Sequence, residues 1–408
     1  MCFDGITRGA PAEGARATRR ASGRVAWLRI GSGVGDPDFD FIVIGAGIAG
    51  ASAGHFLAAE GRVLVLEMED QPGYHSTGRS AALFTEIYGS DTIRALAAGS
   101  RAFFENPPAG FADAPLLTPR GGLFVGRAEQ AAELAATAEG AAERAESIRQ
   151  LEAAETQALV PALRPDYAAG AVLEPGARDV DVHALHQGYL RGLRQQGGEV
   201  VCRAEVTGLS HDGGWSVATR AGEFQGRVVV NAAGAWCDRV AALAGAASVG
   251  LVPKRRTVIL VDPPAGMAVE DWPFCAAVDE DFYFRPDAGR LIVSPADETP
   301  VEPCDVQPEE LDMAIAVDRF QSATTLSVGR IERSWAGLRS FVADNTPVVG
   351  FDRQVADFFW LAGQGGYGIK TSPAMGRLAA ALALGRDVPH DLQALGVAAE
   401  DLSPARLR

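Results

Sequence analysis

Basic residues are in short supply: 37 Lys and Arg face 52 Asp and Glu, a formal charge of −15 over 408 residues. A nucleic-acid binder needs a basic face for phosphates, so this balance argues against that class of partner. Long apolar runs are missing as well. No stretch could span a bilayer, and no basic amphipathic helix offers itself to a membrane surface. Cysteine is sparse and odd in number, with Cys2, Cys202, Cys237, Cys275 and Cys304 scattered and no CxxC pair. That pattern leaves no disulfide framework and fits reduced thiols in a cytoplasmic enzyme. The six histidines form no HExxH or similar cluster, so no metal site is expected. Internal repeats are lacking too. What remains is an ordinary globular balance, 47% hydrophobic and 22% charged, in a chain long enough for two domains.

The first informative stretch is Phe41-Ile42-Val43-Ile44-Gly45-Ala46-Gly47-Ile48-Ala49-Gly50. Its β-branched run reads as a buried strand and its glycines as a tight turn opening a helix. Gly45 permits the turn, Gly47 lets backbone approach a pyrophosphate, and Gly50 lets helix and strand pack closely. The helix N-terminus then presents free N–H groups and a positive dipole end to phosphates. A second buried strand, Arg62 to Glu67, ends in an acid, and a carboxylate at that distance suits the hydroxyl pair of a ribose. A dinucleotide site is expected here, built from Gly45 through Gly50 with Glu67 and Met68.

Residues 1–38 carry six arginines among Ala, Gly and Ser without periodicity or a continuous apolar core. They read as a disordered extension or an upstream start codon rather than a targeting segment. The loop Tyr74 to Ala82 is rich in small residues and hydroxyls, which lets it face a cofactor closely. Helices are expected over Asp91–Phe104 with Asp91 as N-cap, over Ala128–Ser147, over Leu151–Leu159, and from Asp179 to about Gln196. Strands follow at Val200–Cys202, Trp215–Val217 and Arg227–Val230, the last running into Asn231-Ala232-Ala233-Gly234. Leu251 to Leu338 reads as an antiparallel α+β block with one helix at Pro308–Gln321. Phe358 to Thr371 is strand, glycine loop and helix again. Three strand–glycine–helix turns at the start, middle and end imply one α/β nucleotide-binding domain interrupted by a second domain.

Together the Gly45–Gly50 turn, Glu67, the Tyr74–Ala82 loop, Val228–Trp236 and Gly363–Thr371 resemble the D-amino-acid-oxidase superfamily of FAD enzymes. Within it, Arg101–Phe111, Ala184–Gly192 and Trp335–Asp344 are similar to the bacterial FAD-dependent D-arginine dehydrogenases. The resemblance runs from about Phe39 to the C-terminus. It implies a discontinuous, glutathione-reductase-like Rossmann domain (39–90, 165–245, 342–408) and an α+β substrate domain on an antiparallel sheet (91–164, 246–341). It implies non-covalent FAD, held in addition by Gly78, Arg79, Ser80, Ala81, Val206, Ala233, Gly234, Gly365, Gly366, Tyr367, Gly368, Ile369, Lys370 and Thr371. It further implies oxidation of a D-amino acid by hydride transfer from Cα to the flavin, with a quinone, a dye or O2 as electron acceptor. By the same likeness Arg339 anchors the substrate carboxylate, Arg256 is a second substrate contact, and Tyr88 and Tyr283 flank the substrate. Thr85, Gly337 and Gly366 line the pocket, and a monomer or dimer is expected.

The sequence departs from that family at the side-chain pocket. The stretch that carries a guanidinium-binding glutamate there is Pro119-Arg120-Gly121-Gly122-Leu123 here, without an acid, and a family histidine is Leu83. Neutral or apolar D-amino acids are therefore expected to be preferred over D-arginine; Glu86 is a new acid nearby that could partly restore cation binding, and the sequence leaves its direction open. Lys370 stands where the closest family has glutamine and sarcosine-oxidase-like relatives a lysine. This keeps open an FAD amine oxidase of the glycine or sarcosine type using O2, with Lys370 in a catalytic role. An FAD-binding subunit of an electron-transfer complex is the alternative from another class.

Overall fold

The computed structural model describes residues 37–142 and 147–408. The expectation for residues 1–38 thus falls almost wholly outside the described residues, as does the end of the helix expected over Ala128–Ser147.

Strand β1 (Phe39–Ile44) lies inside an eight-stranded sheet, parallel to β2 (Val63–Leu66) on one side and to Gly222–Asn231 on the other. Its side chains alternate between two apolar layers. Phe41 and Val43, with Val63 and Val65, face helix α1 (Ile48–Ala58) and the Gly368–Ala383 helix. Ile42 and Ile44, with Leu64 and Leu66, face Trp215, Val240 and Trp360. Covering both faces is why these strands are apolar throughout. The C-terminal strand Phe358–Ala362 joins the same sheet beside Gly222–Asn231, so the Gly363–Tyr367 loop returns to the Gly45–Gly50 turn.

A second sheet of nine strands is mostly antiparallel, with one parallel pair between Gly122–Gly126 and Phe274–Ala277. Its backbone is the long ribbon of Val252–Val261 and Ile331–Phe341, whose register sets Lys254 opposite Arg339 and Arg256 opposite Gly337. Since strand side chains alternate, these four positions share one face. Arg256 and Arg339 are thus diagonal neighbours across the two strands. Helix Glu310–Ala323 packs Ala316 and Phe320 against the other side of the sheet.

Several boundaries differ from the sequence reading. Arg149–Glu152 is a strand paired with Gly170–Glu174, so only Ala153–Leu159 is helical. Arg178–Val180 is also a strand, and the helix after it starts at Val182, capped by Asp181 accepting from the Ala184 N–H at 2.8 Å. Ser90, not Asp91, caps the Asp91–Glu105 helix, its hydroxyl accepting from the Ile93 N–H. That helix packs Ala95 and Leu96 into the helical layer of the first sheet, whereas Gly170–Glu174 belongs to the second sheet.

The C-terminus closes the first sheet through Asp352. Burial opposes its charge, but Arg408, the Trp360 indole N–H and the backbone N–H groups of Gln354 and Val355 outweigh burial and lower its pKa to about 2. A carboxylate depressed from 3.8 to about 2 stabilises the fold above its unfolded value. This stabilisation, about 2 kcal/mol, is lost as pH falls through the folded value. Acid denaturation of Asp352→Asn should accordingly show a flatter dependence between pH 4 and pH 2 than wild type (roughly the interval between the two pKa values), measured by urea melts across that range.

Candidate active site

Two cavities meet at the junction of the sheets. The larger, about 440 Å³, runs along the Gly45–Ala49 turn, past Glu67 and Met68, to Gly365 and Gly366. Its floor is a close crossing of backbones. Gly45 has φ +100°, and a Cβ on Gly50 would lie 1.8 Å from the Gly45 carbonyl oxygen, so α1 can leave the turn only because Gly50 has no side chain. Glu67 is buried, its Oε2 accepting from the Ala46 N–H at 2.9 Å and its Oε1 from the Glu69 N–H at 3.0 Å. Each oxygen keeps a lone pair for a ligand hydroxyl. At the start of α1 the Thr77 hydroxyl accepts from the Ile48 N–H at 3.0 Å, adding a buried polar atom where a pyrophosphate would lie. The groups present therefore fit a dinucleotide such as FAD, with phosphate-facing backbone at one end and an acid for ribose beside it.

Gly45, Gly47, Ile48, Ala49, Glu67, Met68, Arg79, Ser80, Ala81, Val206, Ala233, Gly234, Gly365, Gly366, Gly368 and Ile369 line this cavity. Ala46, Gly50, Gly78 and Thr371 stand behind its wall. Ala46 accepts from His186 Nε2, the Gly78 N–H donates to the Gly73 carbonyl, and the Thr371 hydroxyl donates to the Tyr367 carbonyl. Tyr367 and Lys370 face the second cavity instead. Sequence reasoning passed over Thr77, Trp236 and Gln364, which also line the first. The hydroxyl-rich composition of the Tyr74–Ala82 loop was the one signal for Thr77.

The second cavity, about 110 Å³, opens from the first through Arg256, Tyr283, Arg339 and Gly366, which line both. Thr85, Tyr88 and Lys370 complete it, so seven of the eight substrate-site residues read from the sequence border one space, with Gly337 bordering the first. Gly366 lies flat on the Arg339 guanidinium, where a Cβ would come within 2.6 Å of its central carbon. Among the described residues, Arg339 makes no ion pair with a carboxylate, whereas Arg256 donates to Glu298 at 3.0 Å and to the Asp297 carbonyl at 2.9 Å. Burial, and then the Arg339 charge, lower the Arg256 pKa. Two guanidinium groups with one carboxylate between them leave a positive site facing the junction, and an anion is its complement.

The far wall is apolar and aromatic, with Leu83, Phe124, Phe274, Ala276 and Phe282. Glu86 does not reach it. Its carboxylate is paired with Arg101 on the outer side, at 3.1 Å from Arg101 Nε and closer still to Nη2. The acid nearest the Gly121–Gly122 stretch is Glu174, the cross-strand partner of Gly122, whose Oε2 would lie 3.7 Å from a Cβ there. Its oxygens accept from the Thr85 hydroxyl at 2.5 Å and the Glu86 N–H at 3.0 Å. Glu280 borders the cavity at its exposed mouth, accepting from the Tyr88 hydroxyl at 2.9 Å. Among the described residues no helix is long and apolar enough to cross a membrane.

Comparison with known proteins gives this geometry a family. The sequence profile of DAO, FAD dependent oxidoreductase, matches residues 40–382. HcnC, a hydrogen cyanide synthase subunit of Pseudomonas aeruginosa, is 25% identical over 253 residues, 61% of this chain and 59% of that protein. The chain spans less than two thirds of the length of the first curated relatives it matches. Glycine oxidase from Geobacillus kaustophilus has the same fold, with a TM-score of 0.76 at 22% identity over 88% of this chain and 97% of that one. L-proline dehydrogenase from P. horikoshii gives 0.77 at 21% identity over 90% and 97%. These comparisons do not single out the D-arginine dehydrogenases, to which the narrower likeness was drawn. Of the stretches behind that likeness, Trp335–Asp344 reaches the cavities, whereas Arg101–Phe111 and Ala184–Gly192 pack into an apolar cluster, and the side-chain wall carries Leu83 where that family has histidine. Matched along nearly its whole described length and built around a dinucleotide cleft, the chain belongs to the DAO family of FAD-dependent oxidoreductases, and FAD is its cofactor.

Proposed function

We propose that the protein oxidises neutral or apolar D-amino acids at Cα, giving the imino acid that water converts to a 2-oxo acid and ammonia. The observation that carries this reading is the Arg339 guanidinium, set at the junction of the two cavities without a carboxylate partner among the described residues. FAD, when bound, supplies the hydride acceptor. Arg339 holds the substrate carboxylate by its two-pronged fork, and Arg256 adds positive charge beside it. Tyr88 and Tyr283 close in from opposite elements and fix the Cα–H toward the larger cavity, so that the reacting atoms start in contact. The side chain then projects into the small apolar wall formed by Phe124, Phe274 and Phe282.

D-Arginine fits this wall poorly. Glu86 is spent on Arg101, Glu174 is covered by Thr85, and Glu280 sits in solvent at the mouth, where its charge is screened. A buried guanidinium without a desolvated partner costs several kcal/mol, on the order of a thousandfold in discrimination. Preference for the D series rests on the resemblance of the Tyr74–Ala82 and Trp335–Asp344 stretches to the D-amino-acid enzymes. Turnover with an artificial dye should give kcat/KM for D-leucine, D-methionine and D-phenylalanine well above that for D-arginine and for the L-enantiomers. D-Arginine as the best substrate would overturn the pocket argument.

A second reading is supported by the small volume of the distal cavity, about 110 Å³. It takes glycine or an N-methyl amino acid as substrate and O2 as acceptor, and fast peroxide formation with sarcosine or glycine would favour it.

A further inference from the structure

Lys370 is a buried cation whose surroundings go beyond lining the cavity. It leaves the first turn of the Gly368–Ala383 helix, and its Nζ donates to the Thr85 carbonyl at 2.9 Å and the Tyr88 carbonyl at 2.6 Å. The neighbouring rings of Tyr88 and Tyr367 both lie near it, each centroid 5.4 Å from Nζ. Thr85 turns its hydroxyl the other way, onto Glu174 at 2.5 Å, and the same carboxylate accepts the Glu86 N–H. One cation and one anion from two distant elements thus grip the Phe84–Gly89 segment, Lys370 through two backbone carbonyls and Glu174 through the Thr85 hydroxyl and the Glu86 N–H. That segment carries Tyr88, whose hydroxyl neighbours the Arg339 guanidinium.

We propose that Lys370 is a positioning residue: seated between the Thr85 and Tyr88 carbonyls and balanced by Glu174, its ammonium holds the Phe84–Gly89 wall and sets Tyr88 against the substrate site. Burial alone would disfavour both charges. It lowers the Lys370 pKa to about 7, with Glu174 opposing the fall and Arg94 adding to it. It raises that of Glu174 to about 7, against the Thr85 hydroxyl and the charges of Lys370, Arg101 and Arg178. The charges facing the pair are therefore Arg94 and Arg101 from the Asp91–Glu105 helix and Arg178 from the strand beyond Glu174, with the tyrosine faces of Tyr88 and Tyr367. Because Lys370 is held near its titration point, the wall is expected to loosen as pH rises and the ammonium loses its proton.

The role in substrate binding rests on the amino-acid reading above, but the tie to the wall does not, and the experiment separates them. Holoenzyme with Lys370→Met, Lys370→Gln or Glu174→Gln is compared with wild type by backbone hydrogen exchange, by steady-state kinetics and by pH profile. Lys370→Met keeps the bulk and removes every donor, so exchange over residues 84–89 should quicken about tenfold or more, the loss of one to two hydrogen bonds. KM for a neutral amino acid should rise by a similar factor, with kcat changed much less. Lys370→Gln, which restores N–H donors, should recover part of both. Removing the Glu174 charge lowers the Lys370 pKa further, so Glu174→Gln should move the alkaline fall of kcat/KM to lower pH, and Lys370→Gln should abolish that limb. Unchanged exchange over 84–89 in Lys370→Met overturns the proposal. Should that variant not fold, an alkaline limb that persists in Lys370→Gln and stays put in Glu174→Gln overturns it instead. If no amino acid reduces wild-type flavin, the function reading fails while hydrogen exchange still decides the tie.

Discussion

Replacing Arg339 by Met is expected to cost on the order of a thousandfold in kcat/KM for the best amino-acid substrate while leaving bound FAD in place. Arg339 touches the cofactor cavity only at its junction with the second space, so the cleft along Gly45–Glu67 is untouched. What goes is a charge-assisted fork in a site shielded from bulk water, and removing one partner of such a pair costs about 2–5 kcal/mol. Most of the loss should appear in KM, because the fork holds the carboxylate in ground and transition states alike. Steady-state kinetics with flavin content measured on the same sample checks this. Intact kinetics in Arg339→Met would remove the carboxylate anchor from the account.

Gly50→Ala is expected to empty the protein of FAD and to destabilise it by about 3 kcal/mol or more. A Cβ there meets the Gly45 carbonyl oxygen at 1.8 Å and its carbon at 3.0 Å, both backbone atoms that no rotamer change can move aside. Relief requires α1 to lift from β1, which opens the packing of Ala53 and Leu57 on the sheet and misaims the helix N-terminus. The flavin-to-protein absorbance ratio and a denaturant melt report the two effects. A variant that retains stoichiometric flavin would show that the crossing is looser than described.

These two positions differ in how far the sequence discloses them. Gly50 acts through atoms within a few residues of itself, so a strand, a glycine turn and a helix within one short stretch reveal it, and Glu67 follows from the next strand. The substrate cavity has no such local signature. Thr85, Phe124, Arg256, Tyr283, Arg339 and Lys370 come together only through the register of the Val252–Val261 and Ile331–Phe341 strands and the return of the C-terminal helix. Family resemblance supplied these positions except Phe124, but not their directions. It left open where Glu86 points, and the structure turns it to Arg101. It gave no hint of Glu174, which reaches the Gly122 position from a strand about fifty residues away (a separation that sequence patterning reads poorly). The helix expected over Leu151–Leu159 loses its first two residues to a strand, because Leu151 and Glu152 pair with Gly170–Glu174 and tertiary pairing overrides local propensity.

The most direct test of the central claim is anaerobic mixing of the purified flavoprotein with D- and L-leucine, D-arginine, glycine and sarcosine, followed by flavin absorbance. The account predicts rapid bleaching by D-leucine, slow or absent bleaching by L-leucine and D-arginine, and loss of the rapid phase in Arg339→Met. Bleaching fastest with D-arginine, or none with any amino acid, would contradict it.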